Sequence, residues 1–261
     1  MLEIKDLTIQ YGDKLPVVEN FSLSLKKGEI ITIVGESGSG KSTVLSSILG
    51  LLPNGGKIIS GDIIYNGESM LSKSLNQWRE LRGTEITMIS QDSGGTLNPI
   101  RKIGKQFVEY IQTHSKMSTK EAEEKAKDMF SKVNLPDPEI IMKSYPHQLS
   151  GGMKQRVGIA MALTFHPKII LADEPTSALD VITQAQIVKE IMDLRKKFDT
   201  SIIMVTHNLG VAAYISDKII VMQNGKIVDA GNKNEVIENP KSEYTKKLLE
   251  AVPEIGGERL V

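Results

Sequence analysis

The sequence predicts an α/β fold: a core parallel sheet around a glycine-rich loop, with an antiparallel β-subdomain beside it. Three observations carry this. Gly35-Glu36-Ser37-Gly38-Ser39-Gly40-Lys41-Ser42 fits the spacing G-x-x-x-x-G-K-[ST] without mismatch, between a mostly apolar run at 29–34 and a helical pattern at 42–51. Further short, continuous apolar runs at 86–89, 169–172, 202–205 and 219–222 suit strands covered on both faces. Residues 2–9 alternate imperfectly and 21–25 cleanly, as half-buried antiparallel strands do.

Taken in order, the first two strands are separated by a turn at Gly12-Asp13, and a strand at 62–65 precedes Asn66-Gly67, a strong hairpin signal. These strands form the β-subdomain. A mostly helical insert, about 92–165, interrupts the core strands. Within it Ala122, Ala126, Met129 and Val133 recur at helical spacing, so 119–134 is an amphipathic helix that Pro136 and Pro138 end. Ile187, Ile191, Leu194 and Phe198 mark a packing helix at 184–198, which connects two core strands as a right-handed crossover would. The expected organisation is one domain over 1–261, with a helical subdomain at about 92–165 and a short tail at about 240–261. No internal repeat or low-complexity tract is visible.

Lys plus Arg balances Asp plus Glu at 32 each, so no overall field draws the chain to nucleic acid or an anionic membrane. Cysteine is absent, which excludes disulfides, thiolate metal sites and iron–sulfur clusters. No apolar run approaches the roughly twenty residues that span a bilayer, and Met1 leads straight into a strand pattern. A soluble, cytoplasmic chain is expected, with any membrane span provided by another chain.

In the loop, three glycines let the backbone curl so that N–H groups and the positive end of the next helix converge on the β- and γ-phosphates. Lys41 adds a full charge, Ser42 supplies a hydroxyl where such loops hold Mg²⁺, and Thr43 continues the site into the helix. The apolar strand at 168–172 ends abruptly in Asp173-Glu174, at the strand end where α/β folds collect ligands. There Asp173 would hold the Mg²⁺ and Glu174 would orient or deprotonate an attacking water, which favours phosphoryl transfer to water. Ser150-Gly151-Gly152 opens a helix; it reads as a capping turn, yet its backbone donors make a second phosphate-binding end.

The phosphate loop, Gln91 after a core strand, Leu149-Ser150-Gly151-Gly152-Met153, Asp173-Glu174, Ser177-Ala178-Leu179-Asp180 and His207 follow the order of motifs in the ABC-transporter ATPase family, which the chain resembles over nearly its full length. That resemblance implies a P-loop NTPase with a RecA-like core of ABC ATPase type. Two subunits would pack head to tail, each ATP lying between one phosphate loop and the other subunit's signature. It implies that Ser150, Gly151 and Gly152 donate to the γ-phosphate in trans. His207 would contact the γ-phosphate and support the water, although a histidine after a strand also serves as a structural cap. Gln91 would touch Mg²⁺ and water and link hydrolysis to membrane subunits; otherwise it is a surface amide. Tyr11 matches the aromatic that stacks on adenine, or simply packs. Asp180 would communicate across the dimer, or cap its helix, or both.

A closer resemblance is to the ATPases of oligopeptide, dipeptide and nickel importers. It rests on Gln91-Asp92, on Thr96-Leu97-Asn98-Pro99, on the run from Tyr145 to Met153, and on Tyr244-Thr245-Lys246-Lys247-Leu248-Leu249-Glu250-Ala251-Val252-Pro253. Longer members carry a cysteine-bearing C-terminal extension that this sequence lacks, which shifts weight towards compact nickel or metal-chelate members. Asn208 stands where Asp more often follows the histidine, a change expected to leave activity intact.

The resemblance thus implies an ATP-hydrolysing importer subunit on the cytoplasmic face of the membrane, with peptide substrates narrowly ahead of nickel. Its partners would be two permeases, a second ATPase (a heterodimer favoured over a homodimer) and, indirectly, an external binding protein. The rival is a soluble ABC ATPase that remodels nucleic acid or ribosomes; those usually carry two cassettes or a long coiled coil, and this chain has neither and no basic patch. A slow regulatory switch is the second rival, against which Glu174 argues.

Overall fold

A computed structural model describes every residue except Asn54, Ala178, Pro253, Gly256, Gly257, Leu260 and Val261, with the backbone alone for Val181, Glu254, Ile255, Glu258 and Arg259. Ala178 and Pro253, named in the motifs above, lie outside the described residues. The chain forms two compact units, Met1–Leu75 with Ser201–Val261, and Asn76–Thr200. The elements begin with β1 (Leu2–Tyr11), β2 (Val18–Leu25), β3 (Ile30–Val34), α1 (Lys41–Ile48), β4 (Gly56–Tyr65), β5 (Glu68–Ser69) and α2 (Leu75–Leu81). There follow β6 (Ile86–Ile89), α3 (Ser93–Thr96), α4 (Ile103–His114), α5 (Thr119–Lys132), α6 (Pro138–Lys143), α7 (Gly151–Leu163), β7 (Ile169–Asp173) and α8 (Val181–Phe198). The chain then runs through β8 (Ser201–Thr206), α9 (Leu209–Ile215), β9 (Lys218–Gln223), β10 (Lys226–Asn232), α10 (Lys233–Glu238) and α11 (Glu243–Glu250).

In the first unit, β2, β1, β4 and β5 form an antiparallel sheet in that order, with Leu2, Ile4, Leu7 and Ile9 of β1 buried. Asn66 and Gly67 both have positive φ, 52° and 87°, as a two-residue hairpin turn with the strands' own twist requires. β4 begins six residues before the expected strand, at Gly56 and not Asp62, because pairing with β1 recruits a polar, glycine-bearing stretch that has no strand pattern of its own. β3 is buried at all five residues and pairs parallel with β8 on one side and β9 on the other. An antiparallel β10, absent from the sequence reading, closes the edge beyond β9. The helix after the loop stops at Ile48, short of the expected Leu51. Gly50 takes φ 61°, and the N–H groups of Gly50 and Leu51 turn back to the carbonyls of Ser47 and Ser46 at 3.0 and 2.9 Å.

In the second unit β6 and β7 pair in parallel, Ile89 beside Ala172, and helices occupy the insert as expected. α5 buries Ala122, Ala126, Met129 and Phe130 and is opened by a reciprocal Ser118/Glu121 capping box. Its end is set before the prolines: Asn134 adopts φ 54° and Leu135 N–H bonds Phe130 O at 3.0 Å. Pro138 instead starts α6, at the first helical position behind the cap Asp137. α8 begins three residues earlier than read, since Asp180 caps it and overrides the weak helix preference of Val181, Ile182 and Thr183. Among the described residues no helix is long and apolar enough to cross a membrane.

Candidate nucleotide-binding site

In the first unit the register pairs Val34 with Thr206, so the phosphate loop and His207 leave neighbouring parallel strands at the same carboxyl edge. The loop is shaped by exclusion. A Cβ on Gly35 would lie 2.2 Å from Met222 O, and one on Gly40, at φ 99°, 2.8 Å from Val17 O. The loop therefore lies against β9 and the approach to β2 with no room for side chains there. Asn224-Gly225, the tight turn joining β9 to β10, supports it from behind, Gly225 N–H donating to Ser39 O at 3.1 Å. Asn-Gly after the apolar run at 219–222 is a hairpin signal not used above, and no loop contact could be inferred from it.

Lys41 is buried, and its Nζ donates to the carbonyls of Gly35 and Glu36, both at 2.7 Å. Gly40 offers α1 no side-chain cap, and Ser39 Oγ is buried without a hydrogen-bond partner. An uncapped helix N-terminus, a buried ammonium and an orphaned hydroxyl converging on one loop fit a polyphosphate. Ser42 is exposed and Thr43 half-buried in the first turn, and Ser37 and Gly38 are exposed at the loop tip. Glu36 differs from the other loop residues in that its N–H donates to Tyr244 Oη at 2.9 Å. Tyr11, at the end of β1, pairs with Gly56 and sets its ring on the space a Gly56 side chain would need, 2.7 Å from the Cβ position. It packs, and remains half-buried. Asn208 caps α9, its Oδ1 accepting from Val211 N–H at 3.2 Å, a task Asn performs as well as Asp.

In the second unit the pairing of β6 with β7 brings Gln91, two residues past β6, to the edge where β7 ends in Asp173 and Glu174. Gln91 is exposed and both acids are half-buried. Glu174 holds φ 43°, a region non-glycine residues rarely occupy, while its carbonyl accepts from Ser177 N–H and Oγ at 3.2 and 3.1 Å. Ser150 caps α7 by accepting from Met153 N–H at 3.3 Å. Asp180 caps α8 likewise, accepting from Thr183 N–H at 3.0 Å and Thr183 Oγ1 at 2.7 Å. The backbone bond from Thr183, and then its hydroxyl, hold the Asp180 carboxyl below the usual carboxylate range. Thr183 in turn touches the signature: a Cβ on Gly152 would lie 2.9 Å from Thr183 Cγ2. The two helix N-termini are thereby packed together, a contact invisible in the sequence. Arg156 of α7 and Glu190 of α8 reinforce it, Nη2 to Oε1 at 2.8 Å and Nε to Oε2 at 3.0 Å. Among the described residues no three His, Cys, Asp or Glu side chains form a metal cluster. Any Mg²⁺ here would be of the kind held by one or two carboxylates together with substrate phosphates.

Compared with known families, residues 18–177 match the model described as ABC transporter. The oligopeptide transport ATP-binding protein OppD of Bacillus subtilis (strain 168) is 44% identical over 97% of this chain and 72% of its own length. The metal-staphylopine import system ATP-binding protein CntD of Staphylococcus aureus (strain NCTC 8325 / PS 47) is 42% identical over 95% and 92%. A dimeric ATP-binding cassette solved in a post-hydrolysis state with ADP and Pi aligns at TM-score 0.77 and 29% identity, covering 89% of this chain and 99% of that one.

Proposed function

The chain belongs to the ABC transporter family, and on that premise we propose that it is the ATP-hydrolysing subunit of an importer for oligopeptides or dipeptides. The observation that carries ATP binding is the uncapped α1 N-terminus wrapped by a loop whose glycines exclude side chains and whose Lys41 ammonium lies within it. The substrate class rests on the relatives, several of which are oligopeptide or dipeptide transport ATP-binding proteins at 40–44% identity. A metal chelate is the second reading, favoured by the 42% identity to the metal-staphylopine import ATPase.

In this reading 1–261 acts as one ATPase domain, and residues from Gly35 to Thr43 take the phosphates, Lys41 contributing its charge. Ser42, Asp173 and Gln91 would hold Mg²⁺, which when bound would supply positive charge to the phosphates. Glu174 accepts a proton from the attacking water, and His207 contacts the γ-phosphate and keeps that water aligned. Ser150, Gly151 and Gly152 serve the nucleotide of a second ATPase subunit, and Tyr11 stacks on adenine with whatever face its packing on Gly56 leaves open. Asp180, besides capping α8, communicates across that dimer. Two permeases hold the pair at the cytoplasmic face of the membrane, a heterodimer being favoured, and an external binding protein delivers substrate. No nucleic-acid partner is expected of a chain whose charges balance.

The test is to purify tagged Glu174→Gln protein from its own cell membranes with ATP and Mg²⁺ and identify what accompanies it by mass spectrometry. Two permeases and a second ATPase are expected. Ribosomal proteins or nucleic acid, with no membrane subunit, would overturn the importer reading. The binding protein encoded with the permeases can then be titrated with peptide and with nickel.

A further inference from the structure

The phosphate loop is tied to a helix more than 200 residues away in sequence. Tyr244, in the first turn of α11, accepts the N–H of Glu36 at 2.9 Å. Glu36 is the second residue of the loop, and its own carbonyl accepts from Lys41 Nζ at 2.7 Å and from Ser39 N–H at 3.2 Å. The peptide on one side of Glu36 is thus oriented by Tyr244, and the peptide on the other side orients the loop's lysine. At Gly35 the loop backbone packs directly on β9, a Cβ there lying 2.2 Å from Met222 O.

The helix that carries Tyr244 is itself fixed. Asp229 of β10, only 5% exposed, accepts the N–H groups of Lys241 and Ser242 at 2.8 and 3.4 Å, and Ser242 Oγ caps α11 by accepting from Thr245 N–H at 3.0 Å. The Tyr244 ring packs on a buried cluster that includes Val34, the last residue before the loop, Leu209 of α9, just after His207, and Leu249 of α11. The hydroxyl bond and the packed ring therefore link the end of the chain to both nucleotide-facing segments of the first unit.

We propose that Tyr244 is a positioning residue for the phosphate loop, and that through it α11 and the bound nucleotide stabilise one another. The proposal rests on the reading of this loop as an ATP site. Lys41 is held at the loop by the Gly35 and Glu36 carbonyls, and the Tyr244 bond holds the peptide next to the second of these in the binding-competent orientation. Without the hydroxyl the loop spends part of its time in other orientations, and the apparent affinity falls by the fraction lost. By reciprocity, a nucleotide that favours the oriented loop also favours docked α11.

The experiment uses the full chain with the non-hydrolysable ATP analogue AMP-PNP and Mg²⁺, read by calorimetric titration and by backbone hydrogen exchange. In the wild type, nucleotide should slow exchange across 243–250 as well as in the loop. Tyr244→Phe, which keeps the ring, should bind the analogue about three- to tenfold more weakly and lose the nucleotide-dependent protection of 243–250. Equal affinity in the variant, or exchange at 243–250 that nucleotide leaves unchanged in the wild type, overturns the coupling. The second readout needs no variant to fold. A wild-type chain that fails to bind the analogue at all overturns the ATP-site reading itself, which is a separate outcome.

Discussion

Glu174 combines a half-buried carboxylate with a left-handed backbone, a combination the fold retains at the end of β7 although glycine would sit there with less strain. On the proposed reading, that backbone sets the direction in which the side chain of the base leaves the end of β7. Glu174→Gln is expected to lower steady-state ATPase turnover at least about a hundredfold while ATP affinity stays within a few-fold, because binding depends on the loop and not on the base. An unchanged rate in a phosphate-release assay would remove Glu174 from the chemistry. Asp180 gives a pH signature. Its folded pKa is depressed by the bonds from Thr183, so its capping contribution is present above its unfolded value near 4 and is lost as the pH falls through the lower folded value. Melting temperatures of the wild type and Asp180→Ala, measured between pH 6 and pH 3, should therefore differ most at pH 6 and converge towards pH 3.

The elements show which local signals were sufficient and which were not. β3 and the hairpin at Asn66-Gly67 were readable because apolar continuity and a turn dipeptide are local properties. β10 was not, since its strand character comes from pairing with β9 and its buried residue is an aspartate that takes two backbone N–H groups. The end of α5 is decided by Asn134 and not by the prolines; Asn134→Gly is expected to stabilise the protein by about 0.5 kcal/mol and Asn134→Ala to cost about 1 kcal/mol, measured by denaturant unfolding. The contact between the starts of α7 and α8 makes a different prediction. Gly152→Ala puts a methyl 2.9 Å from Thr183 Cγ2, so it should disturb the signature turn even though alanine favours helices. Gly152→Ala/Thr183→Ser, which removes that methyl, should recover ATPase activity relative to Gly152→Ala alone; no recovery would mean that Gly152 acts through its backbone only. The Arg156–Glu190 pair beneath that contact is 16% and 15% exposed, so Arg156→Ala should destabilise by about 2 kcal/mol, more than an exposed pair would.

For the whole molecule, the thermodynamic consequence of the proposed function is that nucleotide and fold are linked. Saturating Glu174→Gln protein with ATP and Mg²⁺ at about a hundred times the dissociation constant should raise its stability by about 2.7 kcal/mol, visible as a higher melting temperature. The same addition to Lys41→Ala should produce almost no shift, because the charge inside the loop is gone. Balanced charge at 32 against 32 predicts that neither result depends strongly on added nucleic acid, which a filter-binding control would check.

The sequence by itself determined the phosphate loop, the strand that feeds it, the paired acids at the end of β7, the capping serine of α7 and the family, because each is written in a short contiguous run whose chemistry needs no distant partner. Only the tertiary structure decided what those runs lean on. Tyr244 was legible as part of a tail motif, Thr183 only as a residue just before the helix expected at 184–198 and Asp229 as one more acid, and none could be connected to the site until folding brought them to Glu36, Gly152 and the start of α11. The physical reason is that orientation is a through-space property. A loop's donors follow from its glycines, but the direction in which they point is set by hydrogen bonds and close contacts between residues far apart along the chain.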